Sequence, residues 1–333
     1  MILRHDIRVY SNGAFILKFP YIASVSIESS KNSYTDTAEL TFTDKIFKNG
    51  NRITDYISVG NKIVIQLSYE SYPEEVTTFS GYVVEISTTE NTTIKLEDEA
   101  FLYKTAVITP KVFKNTTLKD LISYYYKDTF YSADVEIGDW VVNKNATLIN
   151  LFDELRSKLG MLCYWQNSIL YVGAEITRTG RTIIFNVNEN VPYGTDDIKT
   201  TRPEDSGVVS YGLSQQKNGT KIERYAYYSD ATRSKIITTS VKPIGTINEL
   251  KLPNITQTKL DYWIKRRLPN LYTNTNTGQI TTFGVPVIEH GDFAKVIDGK
   301  KTDVSGIYGI IGVTKIFSPS EGFKQTAKIG LKV

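Results

Sequence analysis

The segment GNKIVIQLSY, residues 60–69, carries a large apolar side chain at every second position from Ile63 to Tyr69. Successive side chains of a β-strand point to opposite faces, so this alternation predicts a strand with one buried and one wet side. The same alternation recurs in three further segments: Ala23–Ile27, Ala38–Phe42 and Tyr82–Ile86. No helical periodicity occurs before about residue 101. A closed or nearly closed antiparallel barrel is therefore predicted for this part, because closure leaves no strand edge exposed.

The composition agrees with a folded, β-rich protein. The 333 residues include 22 Tyr and 14 Phe but only 2 Met, and Tyr and Phe fit a pleated sheet better than a helix. A hydrophobic fraction of 41% excludes intrinsic disorder. At about 150 residues per domain, this length predicts roughly two domains. The net charge of +3 gives no electrostatic case for binding duplex nucleic acid.

Membrane, secretory and disulfide classes are also disfavoured. No stretch reaches the ~20 consecutive apolar residues of a membrane-spanning helix. Charged residues interrupt the first 19 positions, so no signal peptide is expected. The single cysteine, Cys163, excludes an internal disulfide and a multi-cysteine zinc site. It lies among apolar neighbours and is predicted to be a buried hydrophobic residue rather than a nucleophile.

The pattern changes to mixed helix and strand in the middle of the chain. Leu118, Leu121, Ile122 and Tyr125 have helical spacing, and so do the apolar residues from Leu148 to Leu159. The second of these helices is predicted to end at Gly160, which suits a left-handed cap. A β-hairpin is predicted next, with its two strands at Leu162–Trp165 and Ile169–Val172, joined by the turn Gln166-Asn167-Ser168.

Strand patterns return in the C-terminal part. Ile183, Phe185 and Val187 alternate, and residues 188–206 are polar and predicted to be irregular. One helix is expected at Thr258–Leu268, ended by Pro269, and strands follow from residue 285. The predicted fold class is mainly β (α+β), with two tube-like antiparallel β-barrels and a small α/β domain between them. The predicted domains are 1–104, 105–176 and 177–333, the last with a helical insertion near 256–268.

An internal resemblance links the two β-rich parts. Gly60-Asn61 precedes a strand pair that finishes at Ile86, and Gly291-Asp292 precedes a pair that finishes at Ile316, so the two spans differ by one residue. Gly-Asn and Gly-Asp are common turn residues, and the similarity is short. It nevertheless predicts two related barrels within one chain.

The residue types that carry catalysis are present without the patterns that catalysis needs. A Ser-His-Asp or Cys-His site needs a positioned base. His5 lies near the N-terminus and His290 comes just before the Gly291 turn, so both are interpreted as surface or turn residues. The acidic groups Glu74-Glu75, Glu97-Asp98-Glu99 and Asp196-Asp197 are interpreted as solvated charge. Gly306, Gly309 and Gly312 lack the Gly-Lys-Ser/Thr ending of a phosphate loop and are predicted to mark bulges or close strand approach.

Three other patterns favour no ligand. The Asn-x-Ser/Thr sequons begin at Asn91, Asn115, Asn145, Asn218 and Asn254, and are interpreted as chance in a chain rich in Asn and Thr. The basic groups Lys265-Arg266-Arg267 and Lys300-Lys301 are too small to indicate nucleic acid. In Tyr124-Tyr125-Tyr126, Tyr125 is assigned to the helix core. The protein is therefore predicted not to be an enzyme, with no catalytic, cofactor or metal site, and its interface residues are not assigned.

Short motifs recur in a characteristic order along almost the whole chain. They are Gly60-Asn61, Phe79-Ser80-Gly81-Tyr82-Val83, Leu96-Glu97-Asp98, Thr147-Leu148 through Leu159-Gly160, Leu170-Tyr171-Val172-Gly173, Gly284-Val285-Pro286, His290-Gly291-Asp292, Gly306-Ile307-Tyr308 and Val313-Thr314. This order resembles the baseplate hub proteins of contractile phage tails. The family includes the hubs of phages Mu and T4, the late-control D proteins and the hub part of type VI secretion spike proteins.

The resemblance implies a homotrimeric adaptor. Two barrels per subunit form a pseudo-sixfold ring that joins a sixfold tail tube to a threefold central spike. Further implied partners are other baseplate proteins, and the genome would pass through the lumen without specific binding. The implied location is the virion baseplate, assembled in the host cytoplasm, with no membrane insertion. The sequence contains no fused spike or lysozyme segment, so a separate spike protein is expected.

Other functions remain open at this stage. The chain could be the tail-tip hub of a non-contractile phage tail, or belong to a phage-derived injection machine. A carbohydrate-binding β-rich module would also suit the tyrosines and polar loops, and it predicts a monomer or small oligomer with glycan affinity. A β-barrel hydrolase is a more distant alternative that would depend on His290 or on an acidic group.

Overall fold

The computed structural model describes residues 2–332 apart from short gaps. The gaps are 20, 44–46, 49, 72–76, 89–90, 133, 167, 174–180, 188, 193–197, 201–206, 230–234, 272–275 and 303. Among the described residues, strands make up 54% and helices 14%, which confirms the predicted mainly β class. The chain packs into two compact units. Unit 1 comprises residues 1–102, 178–199 and 277–333, and unit 2 comprises residues 103–177 and 200–276.

The elements are numbered here in chain order. The strands are β1 (Leu3–Ser11), β2 (Ala14–Lys18), β3 (Ser24–Ser30), β4 (Thr37–Thr43), β5 (Phe47–Lys48), β6 (Asn51–Arg52), β7 (Lys62–Tyr69), β8 (Thr77–Thr88), β9 (Asn91–Glu97), β10 (Lys111–Thr117), β11 (Phe130–Ser132), β12 (Glu136–Val142), β13 (Leu162–Gln166), β14 (Ile169–Gly173), β15 (Thr182–Asn186), β16 (Lys199–Thr200), β17 (Val208–Gln215), β18 (Lys221–Tyr228), β19 (Ile236–Thr239), β20 (Thr246–Lys251), β21 (Asn276–Phe283), β22 (Phe293–Ile297), β23 (Gly306–Ser318) and β24 (Gly322–Lys332). The helices are α1 (Phe101–Lys104), α2 (Leu118–Tyr125), α3 (Leu148–Leu159) and α4 (Gln257–Leu271), with a 3₁₀ turn at Ile53–Tyr56.

One large sheet organises unit 1. Its strands follow the order β16-β21-β24-β23-β3-β4-β9-β8-β7-β1-β2, and β22 pairs with both β23 and β15. Every pairing with a described register is antiparallel except β15 with β22, which is parallel. The N-terminal and C-terminal strands therefore belong to a single hydrogen-bonded sheet.

This sheet encloses two separate hydrophobic cores. The first core contains inward residues of β1–β4 and β7–β9, such as Ile7, Leu40 and Ile63. The second contains residues of β15 and β21–β24, such as Phe185 and Ile280. Two cores along one continuous sheet account for the predicted pair of β-rich bodies.

The long strands β23 and β24 contribute to both cores. Val313 of β23 belongs to the second core, whereas Phe317, four residues later, is buried in the first core. Phe323, at the start of β24, also belongs to the first core. The hydroxyl of Tyr69 donates a hydrogen bond to the Phe323 carbonyl at 2.5 Å and accepts one from the Phe323 amide at 3.2 Å. The end of β7 is therefore tied to the C-terminal hairpin.

Two separate segments of the chain pack together to form unit 2. Residues 103–177 supply the sheets β10-β12 and β11-β14-β13, and residues 200–276 supply the sheet β19-β18-β17-β20 with α4. The Trp263 indole on α4 donates a hydrogen bond to the Glu136 carbonyl at 3.0 Å. Arg224 of β18 forms an ion pair with Asp261 of α4. These contacts join α4 to both segments.

Most of the predicted local structure is present. Helix α3 begins after Thr147, whose hydroxyl accepts a hydrogen bond from the Asn150 amide, and ends at Gly160 with φ +69°. The predicted hairpin at 162–172 is β13-β14. The sequence analysis placed Tyr82, Val84 and Ile86 on the buried face of β8, and this was wrong for the first part of the strand, where Val83 is fully buried. A bulge between Val83 and Glu85 shifts the alternation.

Two predictions in unit 2 need correction. Tyr126, one residue past the end of α2, is buried, whereas Tyr125 is only partly buried and its hydroxyl donates a hydrogen bond to the Thr109 carbonyl. Pro269 does not end α4, which continues to Leu271. A proline this near the C-terminus costs one helical hydrogen bond and leaves only two residues beyond it.

The three predicted domains stay a prediction, and the packing groups the chain differently from them. Residues 200–276 pack with residues 103–177, whereas the prediction placed them in the same domain as 277–333. The helix near 256–268 therefore packs within unit 2. The predicted irregular stretch 188–206 contains β16, and parts of it lie outside the described residues.

The close packing of Gly284 against Phe323 generates a test of the fold. A Cβ at Gly284 would lie 2.0 Å from the Phe323 ring, which is buried in the first core. We expect Gly284→Ala to lower the free energy of unfolding by about 2 kcal/mol, because an overpacked core must move its side chains. Gly299→Ala is the matched control, since no atom lies within 4 Å of its Cβ position. Equal urea midpoints for the two variants would contradict this packing.

Candidate assembly surface

Two tight turns in unit 1 have the same hydrogen bonds. In the first, the Gly60 amide donates to the Val83 carbonyl and the Val83 amide donates to the Asn61 carbonyl, at 2.8 and 2.9 Å. In the second, Gly291, Ile310 and Asp292 take the same roles, both at 2.9 Å. Both glycines have positive φ, +87° and +91°, which a side chain would disfavour.

The side chain after each glycine also has the same role. The Asn61 Oδ1 accepts a hydrogen bond from the Ser58 amide at 2.9 Å. The Asp292 Oδ2 accepts one from the Glu289 amide at 3.0 Å. The Gly-Asn and Gly-Asp pairs noticed in the sequence are therefore structurally equivalent turns.

The equivalence extends through the strands that follow. Each long strand has a bulge at the same place: Val83 pairs with Leu96 before the shift in β8-β9, and Ile310 pairs with Ile329 before the shift in β23-β24. These four side chains are all fully buried or nearly so. Gly312 lies just past the β23 bulge, which agrees with the prediction that glycines there mark bulges.

The order of strands repeats as well. Repeat 1, residues 1–102, has the spatial order β3-β4-β9-β8-β7-β1. Repeat 2, residues 178–199 with 277–333, has the order β16-β21-β24-β23-β22-β15. Each strand occupies the same position along the chain of its repeat. Among the pairings with a described register, the two repeats differ in that β15 is parallel to β22 while β1 is antiparallel to β7. The predicted internal repeat is thus present in the structure.

The two repeats are joined at a seam between β3 and β23. Gly312–Phe317 of β23 pair with Val25–Ser30 of β3 in an antiparallel register. The Lys31 amide extends this ladder by donating to the Ile311 carbonyl at 3.1 Å. Gly312 suits this close approach, because a Cβ there would lie 3.2 Å from the Ser29 carbonyl oxygen. The β3 edge of repeat 1 is thereby covered by repeat 2.

Ionisable side chains are buried beside this seam. His290 is 1% exposed, and its Nε2 lies 3.6 Å from Oδ2 of Asp36 in the β3-β4 loop. Lys315 is buried too. Burial lowers the pKa of its ammonium, while the carboxylates of Glu289, Asp36 and Asp292 oppose that shift. The interpretation of His290 as an ordinary surface or turn residue was therefore wrong about its exposure, because repeat 1 covers the turn that contains it.

Asp98 links the first core to the same loop. Its carboxylate accepts hydrogen bonds from the Asp36 and Ala100 amides at 3.1 and 3.0 Å. Burial, together with the nearby Asp36 charge, raises the pKa of the Asp98 carboxyl well above its ordinary value. Asp98 thus positions the β3-β4 loop, and the interpretation of this acidic group as solvated charge does not hold for Asp98. Its neighbour Glu99 lies 3.6 Å from the Lys62 ammonium.

Arg181 distinguishes the second turn from the first. Its guanidinium donates to both carboxylate oxygens of Asp292, with the Nε bond at 3.0 Å, and Nη2 donates to the Val287 carbonyl at 3.2 Å. The Asp292 side chain is fully buried, while about half of the Arg181 side chain is exposed. The position equivalent to Asp292 in repeat 1 is the neutral Asn61.

The remaining candidate residues of the sequence analysis have structural roles or lie outside the described residues. His5 lies in β1 opposite Leu67 and contacts the ring of Phe317. Cys163 is fully buried, and burial raises the pKa of its thiol. Glu74-Glu75 and Asp196-Asp197 fall in the gaps of the described chain.

The basic and aromatic groups of unit 2 make local contacts. Arg267 Nη1 donates to the Glu249 carbonyl at 2.6 Å, which ties α4 to β20. Arg266 lies over the ring of Tyr262. Lys111 lies over the ring of Tyr124, with 3.6 Å between its Nζ and the ring centroid. These basic side chains already have partners within their own unit.

The described residues contain neither a cluster of metal-ligating side chains nor a membrane-spanning helix. They contain no group of three or more His, Cys, Asp or Glu side chains placed to hold a metal ion. Among the helices of the described chain, none has the length and apolar character needed to cross a membrane.

Solved structures share this architecture over nearly the whole chain. The tail protein of Neisseria meningitidis MC58 aligns with a TM-score of 0.67 at 11% identity, covering 98% of this chain and 96% of that one. The chain has the fold of phage tail proteins. The 43 kDa tail protein of prophage MuSo2 from Shewanella oneidensis aligns with a TM-score of 0.61 at 15% identity, covering 97% of each chain. No protein-family model and no curated protein sequence matches the chain.

A third hub-like structure comes from a secretion machine. The Escherichia coli c3393 protein is described as a component of the type VI secretion system, similar in structure to the T4 tail proteins gp27 and gp5. It aligns with a TM-score of 0.52 at 10% identity, covering 94% of this chain and 76% of that one. The family resemblance noted from sequence motifs is thus confirmed at the level of the fold. The seam between the repeats was missed, because residues 25–30 and 312–317 are far apart in sequence.

The different charges of the two turns generate a reciprocal test. We expect Asp292→Asn to keep the turn hydrogen bond, as Asn61 does, but to lose the ion pair with Arg181. The expected loss in free energy of unfolding is about 1 to 2 kcal/mol, less than for a fully buried pair because Arg181 is half exposed. Asn61→Asp places a carboxylate in the neutral turn and should also destabilise, by about 1 to 3 kcal/mol.

The double variant Asp292→Asn with Arg181→Met tests whether the loss in Asp292→Asn comes from the ion pair with Arg181. If the ion pair accounts for the loss, Arg181→Met should cost little more once Asp292 has been replaced. Chemical denaturation at neutral pH is measured for the wild type, Asp292→Asn, Arg181→Met and the double variant. Additive losses in the double variant would contradict the proposed role of Arg181.

Proposed function

We propose that this protein is a structural hub of a phage tail or of a phage-derived contractile injection system. In this proposal three copies form a ring of six barrel-like repeats that joins a sixfold tail tube to a threefold central spike. The observation that carries the proposal is the duplication within unit 1: two repeats with equivalent turns, bulges and strand order in one chain. A trimer of such a chain offers a sixfold-like arrangement to one partner and true threefold symmetry to another.

The partners follow from this role. One face of the ring would bind the tail tube protein, the other would bind a separate spike protein, and the outside would contact other baseplate proteins. The genome would pass through the lumen without sequence-specific contacts. The protein would act in the virion baseplate after assembly in the host cytoplasm. The role is structural rather than enzymatic, and the tail proteins of similar fold support that proposal.

Unit 2 fits the proposal as a compact unit formed by two insertions between strands of the duplicated sheet. Its two segments follow β9 and β16, so both leave the sheet through connections between strands. Insertions at such connections are tolerated because the loop entropy rises only slowly with length. Unit 2 is thus available to bind neighbouring baseplate proteins while unit 1 forms the ring.

Native mass tests the proposal directly. We expect light scattering of the purified chain to give about 113 kDa, three times the 37.6 kDa of one copy, and electron microscopy to show rings. A strict monomer over a wide concentration range would contradict self-assembly of the ring. Glycan binding by such a monomer would instead favour the carbohydrate-binding alternative.

A further inference from the structure

The part of β23 that β3 covers at the seam has an equivalent in β8 that no strand covers. In repeat 2, the β7-like strand β22 pairs with Gly306–Gly309 of β23, and β3 covers the same side of β23 from Gly312 onward. In repeat 1, β7 pairs with Thr77–Tyr82 of β8. Beyond Tyr82, no strand of the described residues pairs with this side of β8. The stretch Val84–Thr88 is called here the open edge of β8.

The burial of equivalent residues shows the same difference. The shared bulge makes Glu85, Ile86, Ser87 and Thr88 equivalent to Gly312, Val313, Thr314 and Lys315. Gly312 and Val313 are buried at the seam, whereas Glu85 is exposed and Ile86 is only partly buried. Lys315 is buried and Thr88 is exposed. The open edge of β8 therefore has the same bulge and strand geometry as β23 but lacks a partner strand equivalent to β3.

The preceding turn differs in the same way. His290 of the second turn is 1% exposed, because the β3-β4 loop of repeat 1 covers it. Val59, its equivalent in the first turn, is 60% exposed. An apolar side chain in this position is suited to burial, since transferring it out of water is favourable.

The strand that could cover the open edge is present at the other end of the sheet. In repeat 2 the equivalent of β3 is β16, which pairs with β21 on one side. Its other side has no strand partner within the described part of the chain. One copy thus has an edge of the β3 type and an edge of the β23 type, at different positions in the same sheet. A second copy can satisfy both, through a heterologous contact that repeats from subunit to subunit.

We infer that the open edge of β8 binds the free edge of β16 of a second copy, in the way that β23 binds β3 within the chain, and that this contact covers the turn around Val59. This inference rests on the proposed hub function and assigns residues to the contact between subunits. The charges at the two contacts differ. Glu289, Asp292 and Lys315 of the internal seam are replaced by Ser58, Asn61 and Thr88 at the open surface. The surface between copies is therefore neutral at these three positions, whereas Glu85 adds a carboxylate where the internal seam has Gly312.

Two variants test this surface. Val59→Asp places a charge where the contact requires an apolar side chain, and it should leave the single copy folded because Val59 is exposed. The Lys31–Ile311 hydrogen bond shows that Ile311 and every second residue after it, Val313 and Lys315, direct their backbone groups to β3. Thr88 is the equivalent of Lys315, so its amide faces the open side of β8, and Thr88→Pro removes that amide. Val241→Asp is the matched control, an exposed valine of unit 2 given the same charge.

The measurement is native mass by light scattering at matched concentrations, with thermal unfolding to check that each variant is folded. We expect the wild type and Val241→Asp to assemble, and Val59→Asp and Thr88→Pro to associate at least tenfold more weakly. Assembly of both variants like the wild type would overturn the assigned surface and leave the hub proposal standing. A monomeric wild type would overturn the ring and the surface together, so the two failures are distinguishable.

Discussion

The hydrogen-bonded pairing of β3 with β23 is the contact on which unit 1 depends. It joins strands nearly 300 residues apart in sequence and merges two sets of strands into one sheet. A sheet edge left unpaired is a site of aggregation, so covering β3 with β23 protects repeat 1. It also fixes the second core beside the first, because β23 and β24 contribute apolar residues to both.

The two repeats show how one strand arrangement can serve two environments. Both keep the glycine turn, the capping side chain and the bulge, since these determine the path of the backbone. The side chains around that path differ. Arg181, Asp292 and His290 suit a turn that is covered within the chain, whereas Asn61 and Val59 suit a neutral and open one. Backbone geometry is therefore common to the repeats, and burial and charge separate them.

The duplication also shows where the second segment of unit 2 is inserted in the chain. The second of its two segments enters between β16 and β21, at the position that corresponds to the β3-β4 loop of repeat 1. In repeat 1 that loop is short and contains Asp36, which is held by Asp98 and lies beside His290.

The sequence by itself determined the local elements of this protein. Alternation at Ile63–Tyr69 predicted β7, and the spacing of Leu148 to Leu159 with Gly160 predicted α3, because strand and helix periodicity are properties of neighbouring residues. The Gly-Asn and Gly-Asp turns revealed the repeat for the same reason. Only the tertiary structure decided that Val83 is buried, that His290 is covered and that residues 200–276 pack with 103–177. These outcomes depend on a bulge and on contacts between distant segments. The open edge of β8 was likewise decided by the tertiary structure, because a strand has an open edge only where no other strand pairs with it.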